Sequence, residues 1–355
     1  HVDHGKTTLD DEILKSSGTF RENEDLSNAS MDSNQLERER GITILAKTTA
    51  INYNDYRINI LDTPGHADFG GEVERIMNMV DGVILVVDAY EGTMPQTRFV
   101  LKKALAAKAK PIVVINKVDK ESARCAEVVD EVLELFIDLG ADEEQLEFPV
   151  VYASAINGTS SLSDDLSTQT PGFTELLDLI ISEIPAPSGS EEEDLQFQPA
   201  LLDYNDYVGR IGVGRVHNGK IKVGQMVNCH RLDGTTKQFR VQKLFGYIGL
   251  KKIEIEEACA GDICAVAGLP DISVGETLCE IGKDKPLPKL HIDEPTLQMT
   301  IGTNSSPFCG KDGTLLTARK IEERLMKETQ RDVSLKVAPN DSESWIVSGR
   351  GELHL

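Results

Sequence analysis

Apolar residues in the first half of the chain fall into short β-branched runs separated by longer amphipathic stretches, and that alternation predicts a mostly parallel α/β sheet. The candidate strands are 57–62 (RINILD), 82–89 (GVILVVDA), 111–117 (PIVVINK) and 148–154 (FPVVYAS). Three of them are apolar almost throughout, as strands covered on both faces are. Between the last two, Val128, Val129, Val132, Leu133, Phe136 and Leu139 form a helical stripe, and Gly140 is placed to end the helix. From Gly18 to Arg40 the periodicity lapses into a polar run. So long a loop inside a compact domain is uncommon unless it has a function or lacks order.

The rhythm changes at 184–199 (IPAPSGSEEEDLQFQP), where proline, glycine, serine and an acidic run read as a linker. Beyond it come short strands with turn signals. Asn218-Gly219 and Asp233-Gly234 both predict hairpin turns, and strands from about 197 to 282 predict a small closed β-barrel. From Glu294 onward the order strand (TLQMTIGT), helix (TARKIEERLMKETQ), strand (VSLKVAP), strand (SESWIVSG) is most of a ferredoxin-like split unit. The expected division is an α/β domain at 1–188, an acidic linker at 189–196, a β-barrel at 197–288 and a partial α+β domain at 293–355.

Composition narrows the class without naming it. The chain has 355 residues, 40% of them hydrophobic and 27% charged, as in ordinary soluble proteins. No apolar run approaches the roughly 20 residues that cross a bilayer, and no signal-peptide pattern opens the chain. A cytoplasmic protein with no membrane partner is expected. Six scattered cysteines (125, 229, 259, 264, 279, 309) form no C-x-x-C pair, which favours reduced thiols over disulfides or zinc. A net charge of −22 argues against nonspecific grip on nucleic acid and leaves room only for a local patch. KLFGYIGLKK (243–252) is one candidate, although its lysines read more readily as a solvated hairpin face.

The chemistry lies in four short motifs. The opening HVDHGKTT supplies the last fixed positions of G-x-x-x-x-G-K-[ST] with Gly5, Lys6 and Thr7; the first glycine would fall one residue before His1. Asp3, His4, Gly5 and Thr8 belong to a nest of backbone N–H groups suited to a β-phosphate; Lys6 would reach the β- and γ-phosphates and the Thr7 hydroxyl would bind Mg2+. In LDTPGH, Asp62 ends an apolar strand where a carboxylate can hold Mg2+ through water, and the Gly65 N–H can meet a γ-phosphate. Taken alone, a turn closing a strand accounts for that motif equally well. NKVD decides between them. It stands at the end of a buried strand, where Asp119 can accept from the N1 and N2 donors of guanine, which adenine lacks. Asn116 can tie the base loop to the phosphate loop, and the Lys117 stem can lie over the purine. Three specified residues recur by chance about once in 8,000 positions. In YASAING the backbone of Ser154 and Ala155 can face the guanine O6. Four such elements in this order are those of a GTPase that binds GTP and GDP.

HVDHGKTT, ERERGITI and DTPGHADF resemble translational GTPases rather than small signalling GTPases. The resemblance is closest to the BipA/TypA family, in MDSNQLERERGITILAK, GHADFGGEVERIMNMVDGVILVVDAYEG, PQTRFVLKKAL, LDYNDYVGRIGVGRV, HIDEPTLQMT and VSGRGELHL. It implies that Thr43 closes over Mg2+ and the γ-phosphate, so that 18–45 is a switch segment. It implies that His66 positions the attacking water once the ribosome orders it, and that Val2 and Ile42 form the apolar gate beside that histidine. A P-loop GTPase domain, a β-barrel and an elongation-factor-G-like third domain are expected, in a monomer that acts on the ribosome in translation, ribosome assembly or stress adaptation. Two departures touch no proposed catalytic position: KESARC after NKVD, where Arg-Pro is usual, and Cys309 in SSPFCGKDG. The window reads as cut at both ends. Without the first strand, apolar faces should be unfilled and the fragment should express poorly or bind GTP weakly; tight binding would contradict that expectation. Elongation factor G itself and a GTPase subunit regulating a metabolic enzyme are the competing readings. The β-α-β-β unit speaks against the second.

Overall fold

The computed structural model describes residues 1–19, 37, 42–311 and 313–355. It divides the chain into two compact units, 1–188 with 246–253, and 189–245 with 254–355. Most of the polar stretch read as a switch segment, 20–36 and 38–41, lies outside the described residues.

The first unit begins with helix α1 (Lys6–Ser16), followed by strands β1 (Lys47–Tyr53) and β2 (Tyr56–Asp62), a 3-10 turn (Ala67–Phe69) and α2 (Gly70–Met77). Then come β3 (Gly82–Asp88), α3 (Pro95–Ala106), β4 (Lys110–Asn116), α4 (Cys125–Asp138), the single turn α5 (Glu143–Leu146) and β5 (Val150–Ser154). The unit closes with β6 (Thr159–Ser161), β7 (Thr170–Pro171) and α6 (Thr174–Glu183). β3, β4 and β5 pair in parallel and β6 and β7 extend the sheet antiparallel, in the order β3-β4-β5-β6-β7. The strand predicted at 57–62 is not part of that sheet: β2 pairs antiparallel with β1 as a separate hairpin, Lys47 opposite Asp62.

Period-two alternation divides the strand side chains between two layers. Val86, Ile112, Val114, Val151 and Ala153 pack with Leu9, Ile13 and Leu14 of α1 and Leu176, Leu177 and Ile180 of α6. Leu85, Val87, Val113 and Ile115 face Leu101 and Leu105 of α3 and Val128, Val132, Leu135 and Phe136 of α4. Helices therefore cover both faces, and each fully buried aliphatic or phenyl side chain contributes about 1.5–3 kcal/mol. The predicted stripe on α4 needs one correction. Leu133 is 37% exposed, and Leu135 takes the buried place because it follows Val128 by seven residues and Val132 by three, on the same face of a 3.6-residue helix. Gly140, at φ 75°, ends that helix, with its N–H on Ile137 O (3.0 Å) and the Ala141 N–H on Phe136 O (3.0 Å).

After the linker comes an antiparallel barrel-like sheet, most of it in the second unit; only the stretch 246–253 of its strands falls in the first. Its strands are β8 (Gln196–Asn205), β9 (Gly209–Asn218), β10 (Lys220–Lys222), β11 (Met226–His230), β12 (Thr236–Arg240), β13 (Lys243–Ile248), β14 (Lys251–Glu254), β15 (Glu257–Cys259), β16 (Ile263–Ala267) and β17 (Thr277–Glu280). Eight run in the order β12-β11-β17-β8-β9-β16-β13-β14, and β10 pairs with β15. Asp233-Gly234 does turn a hairpin between β11 and β12. Asn218-Gly219 does not: β9 pairs with β8 and β16, and the chain passes through Gly219 to the separate pair β10-β15. The acidic run is held down by specific partners. Gly219 N–H donates to Ser190 O (2.9 Å), Glu191 pairs with Lys220 (2.8 Å), Asp194 pairs with Lys285 (2.9 Å), and Leu195 is buried in the core. Burial pushes the Cys229 and Cys264 thiols up, so both stay protonated; Cys264 packs as a small apolar group, and Cys229 donates to Glu276 Oε2 (3.3 Å).

The last segment, β18 (Leu297–Gly302), α7 (Ala318–Thr329), β19 (Lys336–Pro339) and β20 (Ser344–Gly349), forms a three-stranded sheet in the order β18-β20-β19. Placing the last strand in the middle is the split β-α-β-β arrangement. The fold is thus an α/β P-loop domain, an antiparallel barrel-like domain and an α+β unit. No helix among the described residues is long and apolar enough to cross a membrane.

Candidate nucleotide site

Four strand ends supply the site: Asp62 ends β2, Asp88 ends β3, Asn116 ends β4 and Ser154 ends β5. The carboxyl edge of an α/β sheet is where ligands bind. The phosphate loop stands there as the N-terminus of α1. Gly5, its N-cap, has φ 90°, and a Cβ at that position would lie 2.3 Å from Asn116 Nδ2, so both the backbone and the neighbour require glycine. Asp3 and Lys117 also occupy the left-handed region at φ 66°, uncommon for residues with a side chain and concentrated at functional sites.

A cleft of about 480 Å³, within the usual range for small-molecule sites, opens above this edge. Val2, Asp3, Gly5, Lys6, Thr7 and Thr8 line one side. Ile42, Thr43 and Gly65 close one end, and Asn116, Lys117, Asp119 and Ala155 close the other. At the phosphate end, the Thr7 hydroxyl donates to Asp62 Oδ2 (3.0 Å) and lies 3.2 Å from Thr43 Oγ1, while the Thr43 hydroxyl reaches the same Asp62 oxygen at 3.4 Å. Three hard oxygen donors from three elements converge on one point, which fits a small divalent cation such as Mg2+. The Lys6 ammonium donates to His1 O (2.8 Å). Burial lowers its pKa, opposed by the charges of Asp62, Asp10 and Asp3. A Cβ on Gly65 would come within 2.7 Å of Lys6 Nζ, so glycine lets this loop approach the phosphate lysine.

At the other end Asn116 is the tie. Its Nδ2 donates to His4 O (2.9 Å), and its Oδ1 accepts the Ala155 N–H (3.0 Å), joining the phosphate loop, β4 and the loop after β5. Asp119 stands exposed at the mouth, with its carboxylate available to a ligand. Ser154 is buried and accepts from Asn157 Nδ2 (2.9 Å) rather than lining the cleft. His66 does not line it either. It caps the 3-10 turn, its Nδ1 accepting the Asp68 N–H (3.2 Å). With Nδ1 so occupied, a neutral ring carries its proton on Nε2 and can orient a water only by donating to it.

His4 points behind the loop, with Nδ1 accepting the Asp88 N–H (3.2 Å) and Nε2 meeting Glu91 Oε2 (2.9 Å). Burial lowers its pKa, and the Glu91 carboxylate opposes that. Among the described residues, His1, His4 and Glu91 are the group whose donor atoms could surround a metal, all within 4.8 Å. The Asp88 N–H on Nδ1 argues against it: the proton then sits on Nε2, the atom a metal would need.

Several contributors had no sequence signal. Glu37, buried in a run of charges, accepts the N–H groups of Ile44 (2.9 Å) and Leu45 (3.2 Å) and pairs with Lys47 (2.7 Å). Glu72 of α2 accepts the Ala46 N–H (3.0 Å), so two carboxylates hold the segment that carries Thr43. Asp10, one turn after Thr7, is buried. Burial first, then the charges of Asp62 and Asp11, push its pKa well up. Ile156 and Lys120 join the base end of the cleft; their places directly after Ala155 and within NKVDK were the available signals.

A phosphate loop, a cation-type oxygen cluster and a base loop around one cleft define a P-loop nucleotide-binding protein. Residues 1–186 match the family model described as the elongation factor Tu GTP binding domain, and residues 209–279 match elongation factor Tu domain 2. The chain belongs to the elongation factor Tu GTP-binding domain family. Over its full length it is 67% identical to the large ribosomal subunit assembly factor BipA of Bacillus subtilis (strain 168) and 53% identical to that of Escherichia coli (strain K12). It spans 58% of the length of both relatives. A crystal structure of a Thermus thermophilus protein shares the fold, with a TM-score of 0.71 at 19% identity over 100% of this chain and 63% of that one.

Proposed function

We propose that the protein is a GTP hydrolase that acts as a conformational switch on the bacterial ribosome, in the cytoplasm, as a monomer. The observation that carries the chemistry is the meeting of Thr7, Thr43 and Asp62 oxygens beside Lys6, with Asn116 and Asp119 at the opposite end of one cleft. Full-length similarity to factors named for large-subunit assembly supports the ribosomal part.

In this reading Asp119 accepts the N1 and N2 hydrogens of guanine, and the Lys117 stem lies along the base. The Lys6 ammonium leaves His1 O for the β- and γ-phosphates, and the N–H groups of the phosphate loop surround the β-phosphate. Thr7, Thr43 and Asp62 would hold Mg2+, which would supply neutralisation of phosphate charge. His66 swings from its capping position to orient the attacking water, with Val2 and Ile42 excluding other solvent. Loss of the γ-phosphate frees Thr43 and Gly65, and the segments that carry them relax.

The test is multiple-turnover GTP hydrolysis by the complete protein, with and without bacterial ribosomes, beside His66→Ala. Strong stimulation that the variant loses is the expected result. Bound GTP with no stimulation would sink the ribosomal reading.

A further inference from the structure

Asp88 ends β3 directly opposite Asn116 in the parallel register, and it is fully buried. None of the four nucleotide motifs includes it. Its Oδ1 accepts the N–H groups of Tyr90 (2.8 Å) and Glu91 (3.1 Å). Its Oδ2 lies 3.0 Å from Lys117 Nζ and accepts from Lys120 Nζ at 3.2 Å. The Lys117 ammonium donates as well to Asp3 O, and the Asp88 N–H donates to His4 Nδ1. Both loops that would hold a nucleotide thus hang on one residue.

The arrangement has a physical purpose beyond closing a turn. A buried carboxylate is tolerated only when it is paired and hydrogen-bonded, and here both oxygens are satisfied. Burial opposes its ionisation, but the two N–H groups and two ammoniums prevail and hold the carboxyl well below its usual range. A free lysine stem has four rotatable bonds to immobilise when a base arrives, and a lysine already anchored at its tip has far fewer. Lys117 reaches that anchor from a left-handed backbone position and lines the cleft.

We infer that Asp88 is a positioning residue of the guanine subsite, anchoring the Lys117 ammonium between itself and Asp3 O so that the lysine stem stands ready beside the base. This rests on the guanine-nucleotide reading above. Lys120 donates to the same oxygen and sets a second cation on the carboxylate at the cleft mouth.

Asp88→Asn isolates the anchor from the turn. The amide oxygen still accepts from Tyr90 and Glu91, while its NH2 faces two ammoniums it cannot hold. Dissociation constants for mant-GDP with Mg2+ would be measured on the complete native protein, Asp88→Asn, Lys117→Ala and the double variant, each with a thermal melt. Binding about ten-fold or more weaker in Asp88→Asn is expected, with the double variant no more than about two-fold weaker than Lys117→Ala alone, because one residue acts through the other. A folded Asp88→Asn that binds within about two-fold of native, or strictly additive losses, would overturn the inference. Where the asparagine variant does not fold, Asp88→Ser is read in the same way; failure of both to fold would make the carboxylate a structural one and remove the anchoring role. Native protein that does not bind mant-GDP would overturn the nucleotide reading itself, and the inference with it.

Discussion

Asn116 shows how much one side chain can organise. It is 1% exposed and spends both ends of its amide on the backbone of two different loops. Removing it leaves a buried carbonyl and a buried N–H without partners, each costing about 1–3 kcal/mol. Asn116→Ala is therefore expected to lower stability by about 2 kcal/mol or more and to weaken guanine-nucleotide binding at least about ten-fold, read by denaturant titration and by nucleotide titration on the same sample. His217 on β9 makes a separate prediction. Burial, with the Arg215 charge adding to it, lowers its pKa to about 4. The unfolded chain takes up that proton first, near pH 6.5, so stability falls as pH drops from there toward 4. His217→Gln is expected to flatten that fall by something on the order of 2 kcal/mol, checked by urea midpoints across the interval.

At the scale of elements, strand ends position the chemistry and helices seal the sheet. α4 is a direct test of how its face is assigned. Leu135→Ala is expected to cost about 2–4 kcal/mol, since it empties a packed site. Leu133→Ala, on the exposed side, is expected to cost under about 1 kcal/mol. Equal losses in chemical denaturation would mean that the helix is rotated from the orientation described. The hairpin β1-β2 is the other instructive element. Its register sets Lys47 against Asp62, so the strand leaving the Thr43 segment is laid beside the strand that delivers the Asp62 carboxylate. Glu37 and Glu72 then fix the intervening backbone, a local reason for Thr43 to meet Thr7 without any ligand contact.

For the whole molecule, a ligand that binds only the folded state stabilises it by mass action. Mg2+ with GDP at about a hundred times its dissociation constant is expected to add about 2.7 kcal/mol to the unit that carries the cleft. ATP at the same concentration is expected to add nothing, because Asp119 finds no N1 or N2 donors on adenine. Calorimetry with each nucleotide reads the difference, and equal shifts would remove the guanine preference.

The phosphate loop, D-x-x-G and NKVD were legible in the chain because each is a local backbone device whose residue types have few other reasons to occur in that order. The βαβ rhythm was legible for the same reason: period two and period 3.6 are written in neighbouring residues. The chain alone could not show that β2 leaves the main sheet or that Gly219 passes the chain to another strand pair, since pairing depends on strands far apart in sequence. Nor could it single out Asp88, Glu37 or Glu72, because an acidic residue has the same type on a solvated face or at the centre of a site. Their partners lie up to 84 residues away, and long-range packing in the tertiary structure brings those groups within hydrogen-bond reach.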